Sequence, residues 1–316
     1  MQRQLYVNLL WKCLMKDSVK HTLISHQSST YELNDLKEQL QKKTGLALPL
    51  EEELKILEEL QSFELGQFLL ANNGLDGFWT AYVILHGPAK KNIDSLEHWI
   101  LHEAPAFKAT QERFRIFQRE LQQILFDGIH MASVPCGLMD DLLTLDFSEV
   151  NHFKATGMDL DPLSLELAKK NARFNNISNV EFIQKDAWDL NIYDKFDVLA
   201  SNGLNIYESD DNKVTNLYQQ FYQALKPDGI LITSFVTPPP GFTEQSTWKN
   251  IELENLLKQQ AIFTDIIQAS WQAFRTESTS RQQLTDAGFS VEKIIYDTQG
   301  IFPTVVARKV CRIHAA

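Results

Sequence analysis

The chain has 316 residues, 44% hydrophobic and 22% charged, the make-up of a soluble globule with length for roughly two domains or one enlarged one. Its net charge of -11 removes any global attraction to phosphate backbones or anionic lipid, which argues against nucleic acid as a substrate. The three cysteines, Cys13, Cys136 and Cys311, are odd in number and far apart, so neither a disulfide framework nor a Cys/His metal site is expected. No apolar run approaches the roughly 18 to 20 residues that cross a bilayer. The Leu5 to Met15 run is broken by Asn8 and Lys12 and lacks a small-residue cleavage pattern. A cytoplasmic protein with no membrane span and no metal is the expectation.

Residues up to about Gly128 read as helical. Leu50, Leu54 and Leu57 fall at i, i+4 and i+7 behind Glu51, Glu52 and Glu53, an acidic opening that suits a helix N-terminus with one apolar face. Asn73-Gly74 and Asp76-Gly77 punctuate before the aromatic run Phe78 to Leu85, and Gly87-Pro88 stops it. From Ile129 the texture changes. Short apolar runs at 129–134, 153–158, 180–183, 196–200 and 230–236 alternate with amphipathic patterns such as Val214, Leu217, Tyr218, Phe221 and Leu225. Such alternation signals βαβ units and a parallel sheet. After the fifth run, Pro238-Pro239-Pro240-Gly241 leads into an insertion with a helical stretch near Leu253 to Phe274. Runs at 291–296 and 302–307 close the chain, joined by too few residues for a crossover, so this pair is expected to be antiparallel.

The polar residues gather at the ends of these strands. Ser133-Val134-Pro135-Cys136-Gly137 follows the first, where a glycine lets the backbone approach a ligand closely, although a Pro-x-Gly turn alone does the same. Cys136 has no histidine or cation near it in sequence to activate it and reads as a small filler. Asp159 ends the second strand 22 residues beyond Gly137, a spacing that suits a carboxylate accepting from a ribose diol, with a solvated turn carboxylate as the alternative. Asp161, before Pro162, reads instead as the N-cap of the next helix. At the third strand end Asp186 can accept from an exocyclic amine, and the small Ala187 leaves room for a flat ring. Asn202, Asn205 and Tyr207 follow the fourth strand, as ligand contacts or as plain turn residues. Ribose and adenine contacts on adjacent strands imply an adenosine ligand. A dinucleotide requires G-x-G-x-x-G at the first helix; that pattern is missing, and Asp140 and Asp141 there would repel a pyrophosphate. A cationic, phosphate-free adenosine compound such as S-adenosyl-L-methionine fits better.

Residues from about Ile129 to Lys309 resemble a class I S-adenosylmethionine-dependent methyltransferase. The resemblance is carried by Ala132 to Gly137, by Gly157-Met158-Asp159-Leu160-Asp161-Pro162, by Lys185-Asp186-Ala187, by Phe196-Asp197-Val198-Leu199, by Leu225 to Leu231, and by Ala287-Gly288-Phe289. It implies a Rossmann-like seven-stranded sheet with a reversed C-terminal hairpin after a mainly helical N-terminal region. It also implies cofactor contacts from Pro135, Cys136, Gly137, Asp159, Leu160, Asp186, Ala187, Asn202 and Gly203. The first motif departs from the family pattern, with Ser133 for the acidic residue and one glycine, Gly137, where three are usual.

The resemblance further implies a substrate cover built from residues 1–128 and from the insertion 237–276 within the catalytic domain 129–316. Trp79, Tyr82, Tyr207, Trp248 and Trp271 are candidates for its walls or ordinary core. His86 and Tyr207 are the candidates for catalysis, while His130 and His152 flank strands and read as structural. Arg113 and Arg275 can bind a substrate carboxylate or pair with Glu112 and Glu277. The expected reaction is methyl transfer to a small molecule; a protein or tRNA acceptor, or a non-catalytic binding module of the same fold, is the alternative.

Overall fold

The computed structural model describes residues 33–310 apart from 92 and 245, so Cys13, Cys311 and the Leu5 to Met15 run lie outside the described residues. The chain divides into two compact units. One takes the described residues up to Gln111 together with Asn250–Ser270, and the other takes Glu112–Lys249 and the residues from Trp271 onward.

The first unit is helical, with helices Leu33–Lys42, Leu50–Leu60, Glu64–Asn72, Gly77–Ala81 and Ser95–His102, the opening of the Pro105–Gln123 helix, and Leu253–Gln260 from the insertion. Its core includes Leu57, Leu60, Leu65, Leu69, Trp79, Tyr82 and Ile100. A β-carbon at Gly66 would lie 2.0 Å from the Leu60 carbonyl oxygen, so only glycine permits this close turn between two helices. The Tyr82 hydroxyl donates to Glu97 at 2.5 Å, which makes this aromatic core. The acidic opening of Glu51, Glu52 and Glu53 does stand in the first turn of Leu50–Leu60, and the insertion helix is shorter than expected. Glu53 is fully buried beside Ile56, Leu57 and Leu60, because its carboxylate accepts from Leu48 N–H rather than facing water. The insertion is α-helical only over Leu253–Gln260, widens into a π turn at Ala261–Ile266 and then stops. It stops because Asn73 Nδ2 donates to the Ile267 carbonyl and Gln268 turns into the left-handed region.

The second unit is a seven-stranded sheet in the order β3-β2-β1-β4-β5-β7-β6. The strands are β1 (Ile129–Ser133), β2 (Phe153–Asp159), β3 (Val180–Gln184), β4 (Phe196–Ser201), β5 (Leu225–Ser234), β6 (Phe289–Ile295) and β7 (Thr304–Lys309). The first five pair in parallel, and β7 runs antiparallel to both β5 and β6, which gives the reversed hairpin. β5 starts at Leu225, earlier than its apolar run, since Leu225 already pairs with Phe196 ahead of an irregularity near Asp228.

Alternate strand residues sort into two cores. Ala132 and Leu199 pack with Leu217, Tyr218 and Phe221 on one face, while Met131, Val198 and Ala200 pack with Phe117, Leu142 and Ala168 on the other. Covering both faces with helices accounts for the nearly unbroken apolar strands. Strand order reverses between β1 and β4, the point at whose carboxyl strand ends open parallel sheets bind their ligands.

Candidate cofactor and acceptor site

The loop after β1 folds back onto β2. Val134 N–H reaches the Ala200 carbonyl, a cis Val134–Pro135 bond follows, and Cys136 N–H reaches the Met158 carbonyl at 2.8 Å. Gly137, at φ 50°, then gives its N–H to Asp159 Oδ2 at 2.8 Å, while Asp159 Oδ1 accepts from Asp161 N–H at 3.0 Å. Each carboxylate oxygen thus keeps a lone pair for a further donor. Burial pushes the Asp159 carboxyl above its ordinary range, and the N–H groups of Asp161 and Gly137 oppose that shift.

Beneath this loop the site is tightly packed. A β-carbon on Gly157 would meet Phe182 at 2.9 Å, Met139 Sδ at 3.0 Å and Cys136 Sγ at 3.1 Å. Gly157→Val is therefore expected to cost about 2 kcal/mol or more in stability and to push the loop off Asp159. Denaturant unfolding and calorimetry with S-adenosylhomocysteine check this, and wild-type values in both would contradict it. Burial and the nearby Asp159 and Asp141 carboxylates raise the Cys136 thiol well above its usual range, which disfavours the nucleophilic thiolate.

Asp161 caps the Pro162–Phe174 helix, accepting from Leu163 and Ser164 N–H groups, as its place before a proline suggests. Leu160, next to Asp159, is 62% exposed, an apolar face beside the candidate ribose ligand. At the end of β3, Asp186 Oδ1 accepts from Trp188 N–H at 2.9 Å, and Ala187 is buried. After β4, Asn202 precedes Gly203, at φ 90°, and the short turn Leu204–Tyr207 follows. Asn202 Oδ1 is buried with no donor. Tyr207 is 44% exposed.

His86 lies in a π turn of the first unit, where burial pushes its imidazole down to about 4. A base that weak is poorly matched to proton abstraction near neutral pH. His130 Nε2 sits 3.0 Å from Thr156 Oγ1 near the opposite, N-terminal ends of the strands. Trp248 Nε1 donates to the Thr237 carbonyl and hydroxyl. Among the described residues no three His, Cys, Asp or Glu side chains come together to hold a metal ion, and no helix is long and apolar enough to cross a membrane.

The aspartates at the first helix behave differently from a simple acidic opening. Asp141 is buried and accepts from Ser133 Oγ at 2.7 Å and from its neighbour Leu142 N–H, which puts a carboxylate against the strand end where the sequence has serine. Asp140 accepts from Asn171 Nδ2 at 2.8 Å. Burial raises Asp140 to about 7 and Asp141 to about 6. Both lie above the unfolded value of 3.8, so the folded state holds more protons and stability falls as pH rises from about 4 to about 7. Asp140→Asn should thus gain about 2 kcal/mol relative to wild type between pH 5 and pH 8. Urea denaturation at the two pH values tests this, and a pH-independent difference would contradict it.

These residues suit a nucleoside without phosphate: lone pairs on Asp159, a carboxylate at Asp186, an apolar Leu160 and a buried carboxylate where a pyrophosphate would need donors. The methyltransferase-domain family matches residues 128–286, half of the chain. The chain belongs to that family. This methyltransferase is a class I enzyme, and its cofactor is S-adenosylmethionine. Across 88% of its length the methyltransferase is similar to the crystal structure of a "possible exported protein" from Bordetella parapertussis, covering 94% of that chain at 39% identity and a TM-score of 0.83. It is 26% identical over 156 residues to the "Putative protein N5-glutamine methyltransferase" of Methanocaldococcus jannaschii, 49% of this chain and 69% of that protein. It is 31% identical over 98 residues to the ribosomal protein L11 methyltransferase of Clostridium perfringens, 31% of this chain and 29% of that protein.

The positions of the strand-end residues are legible in their spacing, whereas the Ser133–Asp141 contact is not, nor is the role of Asp297, which accepts from the Gln299, Ile301 and Phe302 N–H groups and shapes the turn before β7. The Asp-x-Gln-Gly order at 297–300 was the available turn signal.

Proposed function

We propose that the chain methylates a small-molecule acceptor in the cytoplasm. In this reading Asp159 holds the ribose diol, and Asp186 and Ala187 hold the adenine with Leu160 against it. Pro135, Cys136 and Gly137 line the approach through their backbone, and Asn202 and Gly203 face the reacting end. When bound, the cofactor supplies a sulfonium methyl group, and the protein's task is to position a nucleophile in line with it and exclude water. Tyr207 is the better placed of the two candidates for orienting the acceptor, since it follows β4 directly. His86 is better suited to packing. The N-terminal region 1–128 and the insertion 237–276 are proposed to select the acceptor.

The observation that carries the reading is the Gly137 N–H to Asp159 bond, which sets a half-used carboxylate at the end of β2 beside the point where strand order reverses. A net charge of -11 supports a small acceptor over nucleic acid. A protein acceptor is the second reading, favoured by relatives named for glutamine and ribosomal-protein methylation. Incubation of the full chain with methyl-labelled cofactor and cell extract, split by ultrafiltration into small and large solutes, decides between them. Label in the small solutes is expected; label confined to macromolecules would overturn the small-molecule reading.

A further inference from the structure

Arg113, on the Pro105–Gln123 helix, is only 5% exposed. A buried guanidinium normally spends its five N–H donors on carboxylates or carbonyls, because leaving the charge uncompensated costs several kcal/mol. Arg275, equally buried, does so: it bonds Asp211 and the carbonyls of Asn205, Ala273 and Glu208. Arg113 does not. Its one hydrogen bond among the described residues is a long one, Nη1 to Ser234 Oγ at 3.4 Å, and Nε is buried with no acceptor. Glu112, its sequence neighbour, is instead engaged with Thr298. Tyr207 and Asp297 act on its charge from nearby, but the Asp297 oxygens serve the backbone of their own turn.

The surroundings of Arg113 resemble half of a binding site. The guanidinium lies against the Phe302 ring, 4.7 Å from its centroid, which covers one face and leaves the donor edges to something else. Nη1 and Nη2 would stand 3.2 and 3.6 Å from a β-carbon on Gly203, so the glycine after β4 makes room for the charged head. Ser234 ends β5 and pairs in register with Thr304, whose buried Oγ1 also lacks a partner, as does Asn202 Oδ1 beside Gly203. Native proteins leave few such atoms unsatisfied, and here two, on Asn202 and Thr304, belong to neighbouring strand ends, with Arg113 Nε on its helix making a third. Asn202 follows β4 and Thr304 opens β7 beside the end of β5, across β1 from Asp159 and Asp186 in the strand order, on the side that the proposed function gives to the acceptor.

We propose that Arg113 recognises the acceptor by its carboxylate, taking it edge-on through the guanidinium while Phe302 holds the plane of the fork. This rests on the small-molecule reading above and names its substrate class: a monocarboxylate. A planar, singly charged anion matches both the geometry of the fork and its single positive charge. A dianionic phosphate would leave a net negative charge buried in a chain already at -11.

The test uses the full chain saturated with S-adenosylhomocysteine, titrated with acetate, benzoate and decanoate and, in parallel, with the amide of each. At least one carboxylate is expected to bind and to move the Arg113 Nε–H resonance, with its amide weaker by about tenfold or more. Arg113→Met should abolish the preference of carboxylate over amide, and Arg113→Lys should retain part of it, while S-adenosylhomocysteine affinity stays near wild type in both. The resonance shift in the wild-type protein keeps the test valid even if Arg113→Met fails to fold. Equal binding of acid and amide, no binding by any of the three acids, or a carboxylate preference that survives in Arg113→Met would overturn the assignment. A collapse of S-adenosylhomocysteine affinity in Arg113→Lys would overturn it too, by giving the guanidinium to the cofactor's own carboxylate. Methyl label confined to macromolecules, with carboxylate binding intact, would sink the small-molecule reading and leave Arg113 standing.

Discussion

Asp159→Ala is expected to weaken S-adenosylhomocysteine binding by at least about tenfold, or roughly 1.4 kcal/mol, and by more than loss of a ribose contact alone would give. The same carboxylate fixes Gly137 N–H and Asp161 N–H, so its removal also frees the loop after β1 and the start of the Pro162–Phe174 helix. Asp159→Asn separates the two effects. The amide oxygen can keep one backbone bond, but its NH2 group opposes the other and cannot accept from a diol hydroxyl. Affinity should therefore fall in both variants, and stability should fall more in the alanine one. Calorimetry paired with denaturant unfolding reads both quantities, and unchanged affinity in either variant would remove Asp159 from the ribose site.

Arg275→Met is expected to destabilise the fold by about 1–3 kcal/mol, because it leaves the Asn205 and Glu208 carbonyls without their donor, while Asp211, 61% exposed, can turn to water. Arg275 gathers the Asn205 and Glu208 carbonyls from the turn after β4 and the Asp211 carboxylate at the start of the Asp211–Ala224 helix. Asp211 also accepts from Gln283 on the Glu277–Ala287 helix, so three segments lose a common anchor together. Arg113→Met should behave in the opposite way. Its guanidinium has little to lose, and replacing a buried, under-bonded charge with an apolar chain is expected to leave stability unchanged or raise it. Urea denaturation of the two variants side by side gives the comparison; equal destabilisation would mean that the Arg113 guanidinium is already satisfied within the fold.

The sheet was legible because its strands are short apolar runs bounded by glycine, proline and aspartate, and because the last two runs are too close in sequence to cross over. Asp161 could be read as a cap for a local reason, since a capping carboxylate bonds only the next two or three residues. What could not be read depends on residues distant in the chain. Glu53 belongs to an acidic helix opening by sequence, yet it lies in the first unit's core, where the buried Asp265 helps burial raise its carboxyl. The insertion helix stops where Asn73, 194 residues earlier, takes the Ile267 carbonyl. Nothing in the order Glu112-Arg113 distinguishes a surface pair from a buried cation; only the packing of β4, β5 and the 297–302 turn around it does. The strand-end aspartates sit between these cases, for spacing gives their positions and only a bound ligand can give their roles.

That ligand provides the most direct measurement: a crystal structure of the full chain with S-adenosylhomocysteine. The ribose hydroxyls are expected within hydrogen-bond distance of Asp159, the adenine amine at Asp186 with the ring against Leu160, and the sulfur directed toward Asn202 and Gly203. A nucleoside lying away from the carboxyl ends of β1 and β4, or Asp159 and Asp186 making no contact with it, would contradict the arrangement.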